Sequence, residues 1–142
     1  MITLAQAQAI VTATLAHARS AALKPLGVAV LDAGGHLVAF AREDGAAFGR
    51  FAVAHAKAHG ALALGEDSAA LAERAKGNPL FFGSLSAALG GELALSPGGV
   101  LVRDASGAVI GAVGASGDAG PADAAAVAAG IAAAGLHSGA IA

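Results

Sequence analysis

Two histidines on a predicted helix are the residues best suited to bind a metal. His55 and His59 are four residues apart, so both lie on one face of an α-helix. Neutral imidazole binds transition metals and haem iron, so the pair could clip a metal ion, or one of them could ligate haem iron. A metal clip needs a third ligand, for which His36 is a candidate, but the sequence has no complete zinc motif. The alternative is a partly buried pair at a subunit contact.

The two histidines share their helix face with apolar side chains, while cations occupy a different face. A ligand would meet aromatic rings and imidazoles if the histidine face lined the pocket, and cations if the other face did. The sequence does not decide which face lines the pocket. The first face carries Phe48, Phe51, His55, His59 and Leu62, and the second carries Arg50, Ala54, Lys57 and Leu64.

An arginine and a lysine form a second candidate site, for an anionic ligand. Arg42 follows a predicted strand, where its guanidinium could bind a carboxylate through two hydrogen bonds, and Lys57 could add a second charge. Asp44 lies near Arg42 in sequence and could transfer a proton. Each cation also has a simpler interpretation. Arg42 could pair with Glu43 or Asp44 at the surface, and Lys57 could lie on a solvated helix face.

Glycine-rich loops at residues 96–99 and 114–120 could offer backbone N–H groups to an anion. Neither loop has the lysine and hydroxyl of a P-loop, so turn geometry is the simpler explanation of both. Ser116 does not fit a nucleophile elbow, which needs a glycine two residues before the serine and another two residues after it. Gly114 meets the first requirement, but position 118 is an aspartate.

The helices that must position these residues are marked by capping and stop signals. Thr3 and Gln6 have the spacing of a capping box, and Ser68 is a candidate cap for a later helix. We predict helices from residue 4 to the stop at residues 25–27, from about 47 to 65, from 68 to 75, and after Pro121.

Two β-hairpins share one construction, in which an Asp-Ala-x-Gly turn joins two apolar strands. The turns are residues 32–35 and 104–107, whose glycines can take the positive φ angles of a tight turn. A further strand is expected at residues 92–95. Hairpins rather than crossovers predict a largely antiparallel sheet of about five strands with helices on its faces, an α+β fold. The expected order is helix, two strands, two helices, three strands and a helix, in one domain over residues 1–142.

The composition excludes several classes of protein. The chain has no cysteine, so disulfides, thiolate metal sites and a cysteine nucleophile are ruled out. A net charge of −2 with scattered basic residues argues against a nucleic-acid partner, and the apolar stretch at residues 124–136 is too short to span a membrane. The first residues do not form a secretory signal, and a cytoplasmic location is expected.

The balance of apolar and charged residues favours a homo-oligomer. Hydrophobic residues make up 56% of the chain and charged residues 13%, which is about half the usual charged share. Apolar surface in such excess needs covering, and a second copy of the chain would cover it.

Motifs spread over most of the chain resemble the GlcG/HbpS-like family, which is related to the C-terminal domain of PduO. That resemblance implies a five-stranded antiparallel sheet between helices in a profilin-like sandwich, an oligomer, and binding of haem or a related tetrapyrrole. The family hairpin DxxGxLxxxxRxDGA is present as Asp32, Gly35, Leu37, Arg42, Asp44, Gly45 and Ala46. Further matches lie at residues 56–58, 97–100, 111–117, 123 and 129–130.

The resemblance also implies which residues surround a shared pocket or subunit boundary. Because the chain lacks cysteine and tyrosine, histidine is the main remaining strong axial ligand for haem iron. Residues 63–95 lack matching motifs. The cluster carried over from the family is Arg42, Asp44, Lys57, Gly98, Gly99, Ser116, Gly117 and Asp123.

Three functions follow from these observations. The first is a tetrapyrrole-binding protein, with His36, His55 or His59 near the iron. The second is a cofactor-independent isomerase or lyase that holds a small oxygenated carboxylic acid at Arg42 and Lys57. The third is a subunit that serves assembly alone, and whether the chain is an enzyme is left open. In the first function the macrocycle would be flanked by Phe48, Phe51, Phe81 or Phe82.

Overall fold

A four-stranded antiparallel sheet between helices organises the computed structural model, which describes residues 1–139. The predicted α+β class is confirmed, while the last three residues of the expected domain lie outside the described part. No described helix is long and apolar enough to cross a membrane. The elements are α1 (Leu4–Ser20), β1 (Gly27–Asp32), β2 (Leu37–Arg42), α2 (Arg50–Leu64), α3 (Ser68–Gly77), α4 (Pro79–Ala88), β3 (Gly99–Arg103), β4 (Val109–Ser116) and α5 (Gly120–Ala133).

Local sequence signals account for the first helix and both hairpins. The Thr3 hydroxyl accepts from Gln6 N at 3.1 Å, and the Gln6 side chain accepts from Thr3 N at 2.9 Å, which confirms the capping box. In the first hairpin Asp32 Oδ1 accepts from the backbone N–H groups of residues 34 and 36. In the second, Asp104 Oδ1 accepts from those of residues 106 and 108. The two turns are therefore stabilised in the same way, as their matching sequences predict.

The sheet has the strand order β2-β1-β4-β3 and is covered on both faces. On one face α1 and α5 pack against alternate residues of the central strands, including Val28, Val30 and Val113. On the other face α2 packs through Ala58 and Ala61 against Leu31. Burial on both sides of β1 and β4 explains why their sequences are continuously apolar rather than alternating.

The strand expected at residues 92–95 is wrong, which leaves four strands rather than five. Residues 92–95 have no regular structure, and the preceding segment forms α4, with Pro79 in its first turn. The outer edge of β3 has little room for another strand. Asp67 Oδ1 accepts from Leu101 N, and Arg103 forms a β-bridge with His137.

The predicted role of Ser68 as a helix cap is also wrong. The residue that precedes α3 is Asp67, and Ser68 is the first helical residue. The Ser68 hydroxyl donates to Ser96 O at 2.6 Å and accepts from Gly99 N at 2.8 Å. Ser68 therefore ties α3 to the start of β3 instead of capping its own helix.

Candidate functional site

Helix α2 carries four of the predicted site residues, Phe51, His55, Lys57 and His59, and two glycines of the sheet let it lie very close to the strands. A side chain at Gly114 would overlap the carbonyl oxygen of Ala54, and one at Gly99 would overlap that of Lys57. Because neither strand position has a Cβ atom, the helix backbone rests directly on the sheet. This contact fixes which face of α2 is buried and which face is open.

Lys57 lies on the buried face and forms an ion pair with Asp123. Its Nζ donates to Asp123 Oδ2 at 3.2 Å and to Ala115 O at 2.9 Å. Only 4% of the Lys57 side chain and 1% of the Asp123 side chain are exposed. Asp123 Oδ1 also accepts from Asp118 N at 3.0 Å. The alternative that Lys57 lies on a solvated helix face is therefore wrong.

Burial perturbs both members of this pair. It lowers the pKa of Lys57 and raises the pKa of Asp123, because each charged form loses its hydration, and the attraction between the two charges opposes both shifts. The Cβ of any residue at position 98 would lie 2.9 Å from Lys57 Nζ, so Gly98 leaves room for the ammonium group. Neither charged side chain lines the pockets described below. The pair therefore fastens α2 to β4 and α5.

Ser116 and Gly117 lie at the end of β4, next to this pair. The Ser116 hydroxyl accepts from the Arg50 guanidinium at 3.2 Å, an interaction that the sequence did not predict. Gly117 lies against Pro25, whose carbonyl oxygen a side chain at position 117 would overlap. Six residues of the predicted cluster thus lie in one buried region: Lys57, Gly98, Gly99, Ser116, Gly117 and Asp123.

Arg42 and Asp44, the other two members of the cluster, lie elsewhere. Gly27 on β1 pairs with Arg42 on one side and with Ser116 on the other. Arg42 and Ser116 are therefore separated by two strand spacings, each of about 4.8 Å. Arg42 and Asp44 are exposed and line an open pocket of about 480 Å³ together with Arg19, Pro25 and Glu43.

This pocket does not combine the two cations proposed for a carboxylate ligand. Glu43 pairs with Arg19 at 2.8 Å, whereas the Arg42 guanidinium makes a long contact of 3.5 Å to Ala46 O. Lys57 Nζ is engaged by Asp123 and Ala115 O instead. Asp44 does not cap the following helix, which begins at Arg50 after Gly49. Arg42 and Lys57 are therefore not arranged to hold one ligand.

A row of aromatic rings begins at Phe40 on β2 and continues along the open face of α2 to the two histidines. Ring centroids are 4.8 Å apart for Phe40 and Phe51, 5.5 Å for Phe51 and His55, and 6.0 Å for His55 and His59. The two imidazole rings are stacked, with an angle of 15° between their planes. The row presents flat, partly exposed π surfaces suited to stacking with a planar ligand.

His55 lies in a pocket of about 280 Å³ on this face. The side chain is 17% exposed, and the nearest carboxylate oxygen, Glu92 Oε1, is 3.9 Å from Nδ1. Within residues 1–139, His55 makes no side-chain hydrogen bond, so its ring can still offer a lone pair. The pocket is lined by Phe51, Ala52, His55, Ala56, Gly90, Gly91 and Glu92.

His59 is engaged on both ring nitrogens by one residue. Nδ1 is 3.0 Å from Glu92 O, and Nε2 is 3.0 Å from Glu92 Oε2. His59 lines a separate, smaller pocket beside the first hairpin turn. His36 projects from that turn, where its side chain is 81% exposed and contacts Asp32 Oδ1 at 3.1 Å. Over residues 1–139, no group of three or more His, Cys, Asp and Glu side chains is placed to hold a metal ion.

The phenylalanines are divided among different environments. Phe51 lines the His55 pocket, and Phe48, just before α2, is 86% exposed. Phe81 is exposed and Phe82 is buried within the α3–α4 region, where Arg74 lies over the Phe82 ring. Sequence reasoning missed Glu92 as a site residue. It lies 33 positions from His59 in a segment predicted to be a strand, and no motif connects the two.

Comparison with protein families and solved structures gives consistent matches. A family model described as haem-degrading protein HbpS-like matches residues 2–132. No curated protein sequence matches the chain.

Three solved structures illustrate the shared fold. A PduOC–haem complex has a TM-score of 0.85 at 23% identity, with 96% of this chain and 97% of that chain covered. The Klebsiella pneumoniae protein ORFY has a TM-score of 0.85 at 25% identity, with coverages of 94% and 90%. A double mutant of HbpS from Streptomyces reticuli has a TM-score of 0.80 at 26% identity, with coverages of 92% and 85%.

Proposed function

This chain belongs to the family of HbpS-like haem-degrading proteins, and from that premise we propose that it binds haem or a related tetrapyrrole at His55. Family membership supports a haem-related ligand, and PduOC has been crystallised with haem on the same fold. The observation within this chain that carries the proposal is the His55 pocket. It combines an adjacent aromatic ring with a largely buried imidazole that makes no side-chain hydrogen bond to any described residue.

The donor set of this pocket fits a tetrapyrrole. Imidazole nitrogen is a standard axial ligand of haem iron, and His55 has a nitrogen lone pair to offer. Phe51 lies beside His55 and can stack on a macrocycle, while Gly90 and Gly91 form a rim without side chains, where a flat ligand can approach the backbone. When bound, haem would supply an iron centre with redox and Lewis-acid chemistry. The residues of this chain would ligate and orient it and exclude water from one face.

His55 is favoured over the other two candidate histidines because of their surroundings. His59 Nδ1 is hydrogen-bonded to Glu92 O and Nε2 lies 3.0 Å from Glu92 Oε2, so a metal would have to displace Glu92 to reach either nitrogen. His36 is highly exposed and does not line the His55 pocket. The buried Lys57–Asp123 pair is proposed to act indirectly, because it fixes the position of α2 on the sheet and therefore that of His55.

A second copy of the chain is proposed to cover the ligand. A cavity of about 280 Å³ lies at the lower end of the range for ligand pockets, so a tetrapyrrole would extend beyond it. Phe48, just before α2, and Phe51 and Val53, in its first turn, are exposed, and Phe51 also lines the pocket. A homo-oligomer would bury these side chains, and a cytoplasmic location remains part of the proposal.

Titration of the purified protein with haemin, followed by absorbance, tests the proposal. We expect saturable binding at a fixed stoichiometry with a defined Soret band. Metal-free protoporphyrin, titrated in parallel, should bind about 10-fold or more weakly, because it lacks the iron that His55 would ligate. A linear response to haemin without saturation would contradict the proposal. Saturable and equal binding of both compounds would contradict ligation by His55.

A further inference from the structure

We propose that Arg42 binds a carboxylate at the edge of the tetrapyrrole, and that this contact sets the direction in which the ligand lies along α2. The inference rests on the proposed function. It adds a chemical selectivity, for tetrapyrroles that carry free carboxylate groups.

Two close contacts show how α2 lies over the first hairpin. At one end, a Cβ atom on Gly27 would lie 3.1 Å from Arg50 Cβ. At the other end, a Cβ atom on Gly35 would lie 3.4 Å from His59 Cδ2. Helix α2 therefore runs in the direction of β1, from the start of the strand toward the hairpin turn. Because Gly27 pairs with Arg42, Arg42 lies at the N-terminal end of α2.

The aromatic row leads to the same end of the helix. Phe40 contacts Phe51 of α2, with 4.8 Å between the ring centroids. Side chains two residues apart on a strand share a face, so Arg42 leaves β2 on the face that Phe40 presents to α2. Arg42 is therefore the next side chain beyond Phe40 when the row is followed away from His55.

The spacing between His55 and this end of α2 suits the edge of a macrocycle. His55 and Arg50 are five residues apart, which corresponds to about 7.5 Å along the helix axis. Arg42 lies one strand spacing, about 4.8 Å, to the side of Gly27, which Arg50 contacts. The carboxylates of a porphyrin are carried on short flexible chains at the edge of the ring. A ligand whose iron is held at His55 can therefore bring a carboxylate to the Arg42 guanidinium.

The Arg42 guanidinium is available for such a contact. The side chain is exposed, its contact with Ala46 O is long at 3.5 Å, and within residues 1–139 it forms no ion pair. Two other arginines at this end are engaged, because Arg19 pairs with Glu43 and Arg50 donates to Ser116 Oγ. A guanidinium can bind a carboxylate through two parallel hydrogen bonds, and Arg42 has these donors to offer.

A surface pair between Arg42 and Asp44 is the competing explanation. Both side chains line one open pocket, although no hydrogen bond or ion pair joins them in the described part of the chain. Haemin binding to Asp44→Asn separates the two explanations. If Arg42 holds a ligand carboxylate, removal of the neighbouring negative charge should tighten binding by up to about 5-fold. Unchanged binding would favour the surface pair and count against the inference.

Titration with haemin and with haemin dimethyl ester tests the inference, because esterification removes the negative charges and keeps the macrocycle and the iron. We expect the wild type to bind haemin about 10-fold or more tightly than the ester. Arg42→Gln should lose most of this preference and keep the wild-type Soret position, because His55 still ligates the iron. Lys76→Gln removes an exposed cation of α3 and, as the control, should keep the full preference.

The outcomes separate this inference from the proposed function. Saturable haemin binding with the same preference over the ester in wild type and Arg42→Gln would overturn the role of Arg42 and leave the proposed function standing. An equal loss of affinity for haemin and ester in Arg42→Gln would also overturn it, since Arg42 would then act on the pocket and not on the carboxylate. A wild type that binds no haemin saturably would overturn both.

Discussion

At the scale of single residues, the chemistry of this chain depends on how its charged groups are paired. Lys57 was identifiable from sequence as a cation on the central helix, but its burial was not, because its partner Asp123 lies 66 positions further along the chain. The same holds for His59 and Glu92. Residue type predicts what a group can do, whereas the partner that controls it is brought close only by the fold.

We expect Lys57→Met to destabilise the protein by about 3 kcal/mol at neutral pH, because it leaves Asp123 buried without a counter-charge. The raised pKa of Asp123 gives this loss a pH dependence. In the folded state the carboxyl takes up its proton at a higher pH than in the unfolded state, so lowering the pH should reduce the loss. Urea denaturation at several pH values measures both effects.

The control for this substitution is Lys76→Met, which removes an exposed lysine on α3 and should change stability by less than about 0.5 kcal/mol. If Lys57→Met lowers the free energy of unfolding by no more than the control does, the buried pair does not hold α2 in place.

Asp67 gives a second prediction about pH. Its contribution to stability falls as the pH rises, whereas most carboxylates contribute stability that is lost as the pH falls. Burial raises the pKa of Asp67, so between its ordinary value of 3.8 and the raised value the folded state binds more protons than the unfolded state. Stability contributed by this group therefore falls as the pH rises through that window. Asp67→Asn keeps an acceptor for Leu101 N without the charge. We expect the variant to gain stability relative to wild type as the pH rises from 3.5 to about 7 in denaturation experiments, and a constant difference would contradict this.

At the scale of elements, local signals predicted the structure well and long-range contacts did not. The capping box and the two Asp-Ala-x-Gly hairpins act within five residues, and both were confirmed. The strand at residues 92–95 was wrong because the edge of β3 contacts Asp67 and His137, which no local pattern reveals. The cause of the close contact between α2 and the sheet was likewise hidden, since glycines in strands also occur at bulges and turns.

The helix–sheet contact predicts a strong effect of one methyl group. Gly114→Ala would place a Cβ atom onto the backbone of Ala54 and push α2 away from β4, so we expect a loss of at least about 3 kcal/mol in the free energy of unfolding. Gly83→Ala adds the same methyl group within α4 where no atom lies within 4 Å, and should be neutral or stabilising by up to about 1 kcal/mol. Thermal and urea unfolding of both variants measure the difference, and similar effects would contradict the close packing of α2.

At the scale of the whole molecule, the fold and the family were predictable, whereas the arrangement of the site was only partly so. The family hairpin and the shared motifs pointed to the HbpS-like family, which the match over residues 2–132 shows. Six of the eight predicted cluster residues lie together in a buried region rather than in an open pocket. The open pocket belongs to the other face of α2, the choice that the sequence had left open.

The proposed assembly makes a prediction about the exposed side chains at the start of α2. Light scattering should give a mass that is a multiple of 13.3 kDa for the wild type. Phe48→Ser should shift the mass toward that of one chain, because Phe48 is 86% exposed and would be buried by a second copy. Leu80→Ser, at an equally exposed apolar residue of α4, should leave the mass unchanged. Equal masses for Phe48→Ser and wild type would contradict this interface.

The most direct test of the central claim is a haemin titration of His55→Ala beside His59→Ala, at equal protein concentration and with the Soret band as the signal. We predict that His55→Ala loses the defined band and binds at least about 10-fold more weakly, whereas His59→Ala keeps the wild-type band position. Loss of the band in His59→Ala with retention in His55→Ala would contradict the assignment of the ligand. Wild-type behaviour in both variants would show that neither histidine of α2 binds the iron.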